Sequence, residues 1–177
     1  LTMLSLYLSE ADMLCNASAS GQLLHVLFLL ENGADVNGFN TFNRTALQVV
    51  KLGNTALVEA LLVAGADPNV PDPVLNLTVT HDAAREGFID SVRVLVDHGA
   101  NTNLVDGQGN LPLHLAAREG HLDVTQLLIE CTTLNIHPDL LCSRKLKSFY
   151  FFNVNATLLC LCVYVCVFRR NTKSNYW

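Results

Sequence analysis

A motif that recurs about every 33 residues constrains the fold of this chain more than any other feature. Gly-Ala followed by Asp or Asn occurs three times, and His-x-Ala-Ala-Arg-Glu-Gly occurs at His81 and again at His114. A further glycine stands twelve residues before each Gly-Ala pair, and Gly120 begins a fourth interval of this kind. A period of this length predicts a solenoid of stacked helix–turn–helix units.

The residues inside each repeat fit this architecture. The Ala pair that follows each motif histidine keeps an inner helix thin, so neighbouring repeats can approach. Pro112 lies at the start of such a helix, where its missing N–H costs nothing. Gly87 and Gly120 are predicted to end inner helices with positive φ. Apolar residues in 122–129 recur at a spacing that leaves one buried stripe on an outer helix.

Charge and cysteine content exclude several classes of protein. Residues 1–137 carry 5 Lys or Arg and 15 Asp or Glu, a net charge of −10, whereas residues 138–177 carry a net charge of +5. Because phosphate neutralisation needs clustered cations, the acidic body argues against nucleic-acid binding as its function. The body has only two cysteines, Cys15 and Cys131, so no disulfide framework is expected, which suits a reducing compartment.

Two irregularities interrupt the regular period. From Thr45 to Gly53 is 8 residues, although the corresponding interval is 9 in the next two repeats. The inner helix of the second repeat is therefore predicted to be one residue short. From Gly65 to Thr78 is 13 residues instead of 12, so the loop into the third repeat is one residue long. Stacking alone requires neither change.

Together with these irregularities, three segments resemble the ankyrin-repeat inhibitors of cyclin-dependent kinases four and six. They are Arg-Thr-Ala-Leu-Gln-Val-Val-Lys-Leu-Gly at 44–53, the run 72–90 containing His-Asp-Ala-Ala-Arg-Glu-Gly-Phe, and Gly-Asn-Leu-Pro-Leu-His-Leu-Ala at 109–116. The resemblance covers roughly residues 10–134. It implies an all-α ankyrin-repeat solenoid of about four helix–turn–helix units with β-turn connections.

The expected domain boundaries follow the repeats. We expect repeats at about 10–37, 38–69, 70–103 and 104–136, preceded by a disordered N-terminal extension at 1–9. Residues 137–177 form a divergent basic and apolar tail that the family does not predict. Within this tail, residues 149–168 are almost continuously apolar. A membrane anchor, a segment packed on the end of the array and a non-native C-terminus remain alternative interpretations.

The resemblance also implies a function. Members of this family have no active site and need no cofactor or metal. They bind cyclin-D-dependent kinases beside the ATP cleft through turns and inner-helix ends, which twists the kinase lobes and restrains progression through G1. A monomer in the cytoplasm and nucleus is expected, with a membrane as partner only if the tail is native. The alternative function is a general ankyrin adaptor, which would be tethered to a membrane if residues 149–168 form an anchor.

Asp82 is the first candidate for kinase binding. The general ankyrin motif does not require an acid after the histidine, and in the family this Asp pairs with a kinase Arg. A solvated carboxylate at a helix start is the alternative interpretation. Asp72 lies between two prolines, which are expected to hold it outward, although it could be a plain turn residue. The complete predicted kinase-binding set is Asp82, Asp72, Asn40, Phe42, Val50, Lys51, Arg85 and Asp90.

The other candidates have more specific expected roles. Asn40 and Phe42 lie on the second-repeat turn, where an exposed aromatic can anchor an interface. Val50 and Lys51 end the shortened helix. Because the surface is expected to face a partly basic kinase, the positive charge of Lys51 argues against a favourable contribution to binding. Arg85 and Asp90 are expected near Asp82, as orienting groups or ion-pair partners. Leu24 stands where some relatives carry an acidic contact residue. His81 and His114 are expected to bond the backbone of neighbouring turns.

Overall fold

The structure, a computed structural model, describes residues 9–133 and contains seven α-helices in this range. Their bounds are α1 Glu10–Ala19, α2 Leu23–Glu31, α3 Thr55–Val63, α4 Val79–Glu86, α5 Ile89–Asp97, α6 Pro112–Glu119 and α7 Leu122–Thr133. No strand occurs among these residues. The predicted all-α repeat fold is confirmed. The expectations for residues 1–8 and 137–177 lie outside the described residues, whereas Ser9 is the N-cap of α1.

Inner and outer helices stack in two layers. The inner helices α4 and α6 pack against each other, and the outer helices α2, α3, α5 and α7 form a continuous row. Each outer helix buries one stripe of side chains against its neighbours. Four leucines of this row are 0% exposed: Leu57 and Leu61 of α3, Leu95 of α5 and Leu128 of α7. None of the helices between residues 9 and 133 is long and apolar enough to cross a membrane.

The prediction of an inner helix in the second repeat is wrong, because residues 41–52 form successive turns instead. Gln48 closes the first turn: its backbone N–H donates to the Thr45 carbonyl (3.1 Å), and its side-chain oxygen accepts from the Thr45 N–H (2.9 Å). The Lys51 N–H donates to Ser18 of the preceding repeat (3.2 Å) rather than to its own segment. This segment is one residue shorter than the corresponding segments of the next two repeats, which form α4 and α6. Leu47 nevertheless remains buried in the core.

Asparagine side chains hold the β-turns of consecutive repeats in register. Asn37 donates to the Gly65 carbonyl (3.0 Å) and accepts from the Asp67 N–H (2.9 Å). Asn69 repeats the pattern one unit later: it donates to the Gly99 carbonyl (3.2 Å) and accepts from the Asn101 N–H (2.7 Å). These bonds satisfy backbone groups that the turns leave unpaired. They fix the spacing of the loops that carry the candidate site.

Gly87 ends α4 with φ 80° and Gly120 ends α6 with φ 86°, as predicted from the repeat. The two positions differ in their surroundings. A Cβ at Gly87 would collide with the ring of His121, whereas a Cβ at Gly120 would meet nothing within 4 Å. The His121 ring is held there by a bond between its Nε2 and the Arg85 carbonyl (2.9 Å). Gly87 therefore serves the packing between two repeats as well as the turn.

We expect Gly87→Ala to destabilise the protein by about 1 kcal/mol more than Gly120→Ala. Both variants carry the cost of a Cβ at positive φ, about 1 kcal/mol. Only Gly87→Ala also displaces His121 from its hydrogen bond, which is worth about 1 kcal/mol. Urea unfolding monitored by circular dichroism measures the difference. Equal losses in the two variants would contradict the role given to His121.

Candidate functional site

A groove of about 380 Å³ lies between the turn of the second repeat and the long loop of the third. The repeat stacking brings together these two segments, which are about thirty residues apart in the chain. The residues that line the groove are Asn40, Phe42, Arg44, Val49, Asp72, Pro73 and Val74. Three of the predicted kinase-binding residues, Asn40, Phe42 and Asp72, are therefore neighbours on one surface.

Asn40 organises the turn that carries Phe42. The side-chain oxygen of Asn40 accepts from the N–H groups of Phe42 (2.9 Å) and Arg44 (3.0 Å), and its own N–H donates to the Arg44 carbonyl (2.9 Å). Asn43 has φ 59°, a conformation that Asn tolerates better than most residues. The phenyl ring of Phe42 is 79% exposed at the tip. The turn thus presents an aromatic side chain on a fixed backbone.

Asp72 does not point outward, contrary to the prediction. The residue is 8% exposed, and its carboxylate accepts from the N–H groups of Leu75 (2.8 Å) and Val74 (3.1 Å). The hydrogen bond from Leu75 and the other donors lower the pKa of Asp72, against the effect of burial. Since Pro73 has no N–H, the carboxylate reaches the next two donors and closes the loop. Asp72 is therefore chiefly a structural residue of the groove.

Arg44 links the two sides of the groove. Its Nη2 lies 2.7 Å from Oδ1 of Asp72, and its side chain is 46% exposed while that of Asp72 is 11% exposed. The sequence interpretation omitted Arg44, although it is one of only five cations in residues 1–137. Val74, 81% exposed on the opposite rim, was also missed. Neither residue stands at a repeated motif position, so sequence periodicity gave no signal for them.

Asp82 lies in the first turn of α4 and forms an ion pair with Arg85. Nη2 of Arg85 is 2.8 Å from Oδ1 of Asp82. The pair confirms the expected association of Arg85 with Asp82. The Asp82 side chain remains 33% exposed, so the carboxylate is still partly accessible. Burial raises the pKa of Asp82, and the neighbouring charges of Arg85 and Arg44 oppose that rise. The charge of Arg44, which lines the groove, also acts on Asp82, which does not line it.

The remaining predicted residues do not join this surface equally. Val50 is 7% exposed and belongs to the hydrophobic core, so its predicted contact with a partner is wrong. The fold uses its apolar side chain to anchor the segment that lacks a helix. Lys51 is exposed beside Gly21 of the first repeat. Asp90 is exposed in the first turn of the outer helix α5 and takes no part in the ion pair of Asp82.

The two motif histidines bond the backbone, as expected. His81 is fully buried; its Nδ1 accepts from the Thr78 N–H (3.1 Å), and its Nε2 donates to the Asn110 carbonyl of the next repeat (3.2 Å). Burial lowers the pKa of His81, which favours this neutral form. His114 likewise accepts from the Leu111 N–H (3.0 Å). No group of three His, Cys, Asp or Glu side chains in the described range could hold a metal ion.

Comparison with known proteins places the chain in a family. The family described as ankyrin repeats (3 copies) matches residues 46–140. Cyclin-dependent kinase 4 inhibitor B of Rattus norvegicus is 44% identical over 119 residues, which are 67% of this chain and 92% of that protein. The human inhibitor of the same name is 45% identical, with 67% and 86% covered.

A second relative has a related name. Cyclin-dependent kinase inhibitor 2A of Homo sapiens is 43% identical over 119 residues, covering 67% of this chain and 76% of that protein. The match to ankyrin repeats begins at Ala46, yet α1 and α2 add a complete unit ahead of it. The identity and the coverage agree with the resemblance found in the repeat irregularities. The chain therefore belongs to the ankyrin-repeat family of cyclin-dependent kinase inhibitors.

Proposed function

We propose that this protein is a non-enzymatic inhibitor that binds the catalytic subunit of cyclin-D-dependent kinases. The observation that carries the proposal is the similarity over nearly the full length of relatives named as inhibitors of cyclin-dependent kinase 4. The match to ankyrin repeats at residues 46–140 includes most of the irregular second repeat and all of the third. They also form the groove, so the family-specific part of the chain and the candidate site coincide.

The groove has properties that suit a protein partner. Phe42 and Val74 expose apolar side chains on its two rims, at 79% and 81%. Aromatic residues at such positions commonly anchor interfaces. Asp82 adds a partly desolvated carboxylate close to the groove, and an acid of this kind gains most from an Arg of the partner. The surface therefore fits a partner that presents apolar side chains beside an Arg.

Binding at this surface is proposed to act on the kinase lobes. The array would lie beside the ATP cleft, with the second- and third-repeat turns and the start of α4 in contact with the kinase. Distortion of the lobes would weaken ATP binding and oppose productive cyclin binding. The resulting restraint on G1 progression requires the protein in the cytoplasm and nucleus, where we propose it acts as a monomer. No cofactor takes part in this mechanism.

Isothermal titration calorimetry with a purified cyclin-D-dependent kinase tests the proposal, and the chain offers a matched pair of variants. Phe42→Ser removes the exposed ring from the groove, whereas Phe39→Ser removes a 54% exposed ring that does not line it. We expect Phe42→Ser to weaken binding about tenfold or more, as for an aromatic hot spot, and Phe39→Ser to have little effect.

The outcomes separate the two functions considered from the sequence. Absence of kinase binding by the unmodified chain would overturn the proposal and favour a general ankyrin adaptor. Equal losses from Phe42→Ser and Phe39→Ser would show that the kinase binds elsewhere on the array. Recovery of the protein in the membrane pellet after carbonate extraction would support tethering through residues 149–168.

A further inference from the structure

The turn that carries Phe42 is also held from the first repeat, by a residue that does not line the groove. Oδ1 of Asp12 in α1 accepts from the backbone N–H of Thr41 (2.9 Å) and from the Thr41 hydroxyl (3.1 Å). Thr41 directly precedes Phe42 and is itself exposed, whereas Asp12 is only 5% exposed. A buried carboxylate of the first repeat therefore connects that repeat to the turn that presents Phe42.

The start of α1 fixes the orientation of the Asp12 carboxylate. Its Oδ2 accepts from the hydroxyl (2.7 Å) and the N–H (3.3 Å) of Ser9, and the Asp12 N–H donates back to the Ser9 hydroxyl (3.1 Å). This arrangement is a capping box, which holds the third residue of a helix against its N-cap. The hydrogen bonds from the Thr41 N–H and the Ser9 hydroxyl lower the pKa of Asp12. The carboxylate is therefore charged at neutral pH, and both of its oxygens act as acceptors.

The first repeat needs this connection because it lacks the motif histidine. Cys15 stands six residues before its glycine, as His81 does in the third repeat. Nε2 of His81 donates to the Asn110 carbonyl of the next repeat (3.2 Å), whereas Sγ of Cys15 lies 3.5 Å from the corresponding carbonyl of Arg44. A thiol is only a weak donor. The carboxylate of Asp12 thus supplies the strong link to the next turn that the histidine supplies elsewhere.

The fourth repeat has a comparable link at the position of Thr41. Asn40 and Asp106 close equivalent turns, each donating its N–H to the residue four positions later (2.9 Å in both). Gly107 therefore corresponds to Thr41, and its N–H donates to the Leu75 carbonyl of the preceding repeat (2.8 Å). In both repeats the N–H at this position is bonded to the preceding unit. Only in the second repeat is the acceptor a side chain, which a substitution can remove.

We propose that Asp12 is a positioning residue for partner binding, because it holds the second-repeat turn in the conformation that presents Phe42. This inference rests on the proposed function, since it concerns the same surface. The 79% exposed ring of Phe42 has few contacts of its own, so its position depends on the backbone that carries it. A turn that is ordered before binding loses less conformational freedom at the interface. Removal of the acceptor therefore lowers the affinity although no atom of the groove is removed.

Amide hydrogen exchange in the free full chain, followed by NMR, tests whether Asp12 holds the turn. Asp12→Ala should speed exchange of the Thr41 N–H by at least about tenfold, because it removes the acceptor. The N–H of Asn101, which Asn69 holds in another turn (2.7 Å), is the internal reference and should change by less than about twofold. Ser9→Ala is the matched control, because it removes the cap of α1 and leaves both bonds from Thr41 to Asp12 in place.

Titration calorimetry with a purified cyclin-D-dependent kinase tests the effect on binding. We expect Asp12→Ala to weaken binding about fivefold and Ser9→Ala to leave the affinity within about twofold. In the Phe42→Ser background, Asp12→Ala should add less than about a twofold loss, because the ring that it positions is gone. Thr41→Val is a second variant that spares the cap of α1: it removes only the hydroxyl bond at an exposed position and should weaken binding about two- to threefold.

Four results would contradict the inference in different ways. Unchanged Thr41 exchange in Asp12→Ala means that Asp12 does not hold the turn, whether or not a kinase binds. Equal affinity losses from Asp12→Ala and Ser9→Ala mean that the loss reflects the stability of α1. Additive losses from Asp12→Ala and Phe42→Ser mean that Asp12 does not act through Phe42. Wild-type affinity in Asp12→Ala and Thr41→Val overturns this inference alone, whereas absence of binding by the unmodified chain overturns the proposed function as well.

Discussion

Replacing Asp82 by Asn should weaken binding to a cyclin-D-dependent kinase by at least about 30-fold. Truncating one member of a desolvated charge pair at an interface costs about 2–5 kcal/mol. The lower end of that range applies here, because Arg85 already holds the Asp82 carboxylate in the free protein and the side chain is one-third exposed. Asn keeps the size of the side chain but loses its charge. Titration calorimetry at neutral pH measures the change in affinity.

Asp90→Asn is the control for this prediction. Asp90 is an exposed carboxylate in the first turn of a helix of the same repeat, but it lies on the outer layer. Its replacement changes the net charge equally and should leave the affinity within about twofold, because exposed charges contribute little. Both variants should keep the circular dichroism spectrum of the wild type. Equal affinity of Asp82→Asn and wild type would remove Asp82 from the binding surface.

Leu61→Ala should produce the largest loss of stability, about 3 kcal/mol. Leu61 is 0% exposed in α3, which packs between the outer helices α2 and α5. Truncation of a buried Leu removes its transfer free energy and leaves a cavity, which together cost about 2–5 kcal/mol. The second repeat has only one helix, so the contacts of α3 hold most of this unit in place. Urea unfolding of the purified variant measures the loss.

Val63→Ala provides the comparison for Leu61→Ala. The Val63 side chain is 73% exposed on the same helix, so its truncation should change the free energy of unfolding by less than about 0.5 kcal/mol. A similar small loss in Leu61→Ala would mean that α3 does not form the core of the second repeat. Kinase binding by Leu61→Ala should fall as well, because the groove depends on the position of this repeat.

The repeat period was sufficient to predict most of the fold. Gly87 and Gly120 marked the helix ends because few other residues adopt positive φ at low cost. The second repeat was mispredicted for a local reason. Its segment keeps the apolar pattern of an inner helix, and Leu47 is buried as that pattern requires. The missing residue changes which backbone bonds can close, and that depends on contacts such as Lys51 with Ser18 in the preceding repeat.

The site was only partly predictable. Asp82 was identified from the family resemblance and Phe42 from its place on an exposed turn, and Phe42 lines the groove. Asp72 was placed on the correct loop but in the wrong orientation. The flanking prolines restrict the backbone, but they do not determine which N–H groups its carboxylate accepts from, and these lie within its own loop. Arg44 was missed because its role depends on an ion pair across 28 residues of chain. Such pairings arise from stacking and leave no periodic signal.

The most direct test of the central claim is a titration of cyclin-D-dependent kinase activity with the full chain. Phosphorylation of a protein substrate is followed at fixed ATP while the concentration of the chain increases. The account predicts that activity falls to a low plateau with a stoichiometry of about one chain per kinase, and that Asp82→Asn shifts the curve to at least about 30-fold higher concentration. Undiminished kinase activity at saturating wild-type chain would contradict it.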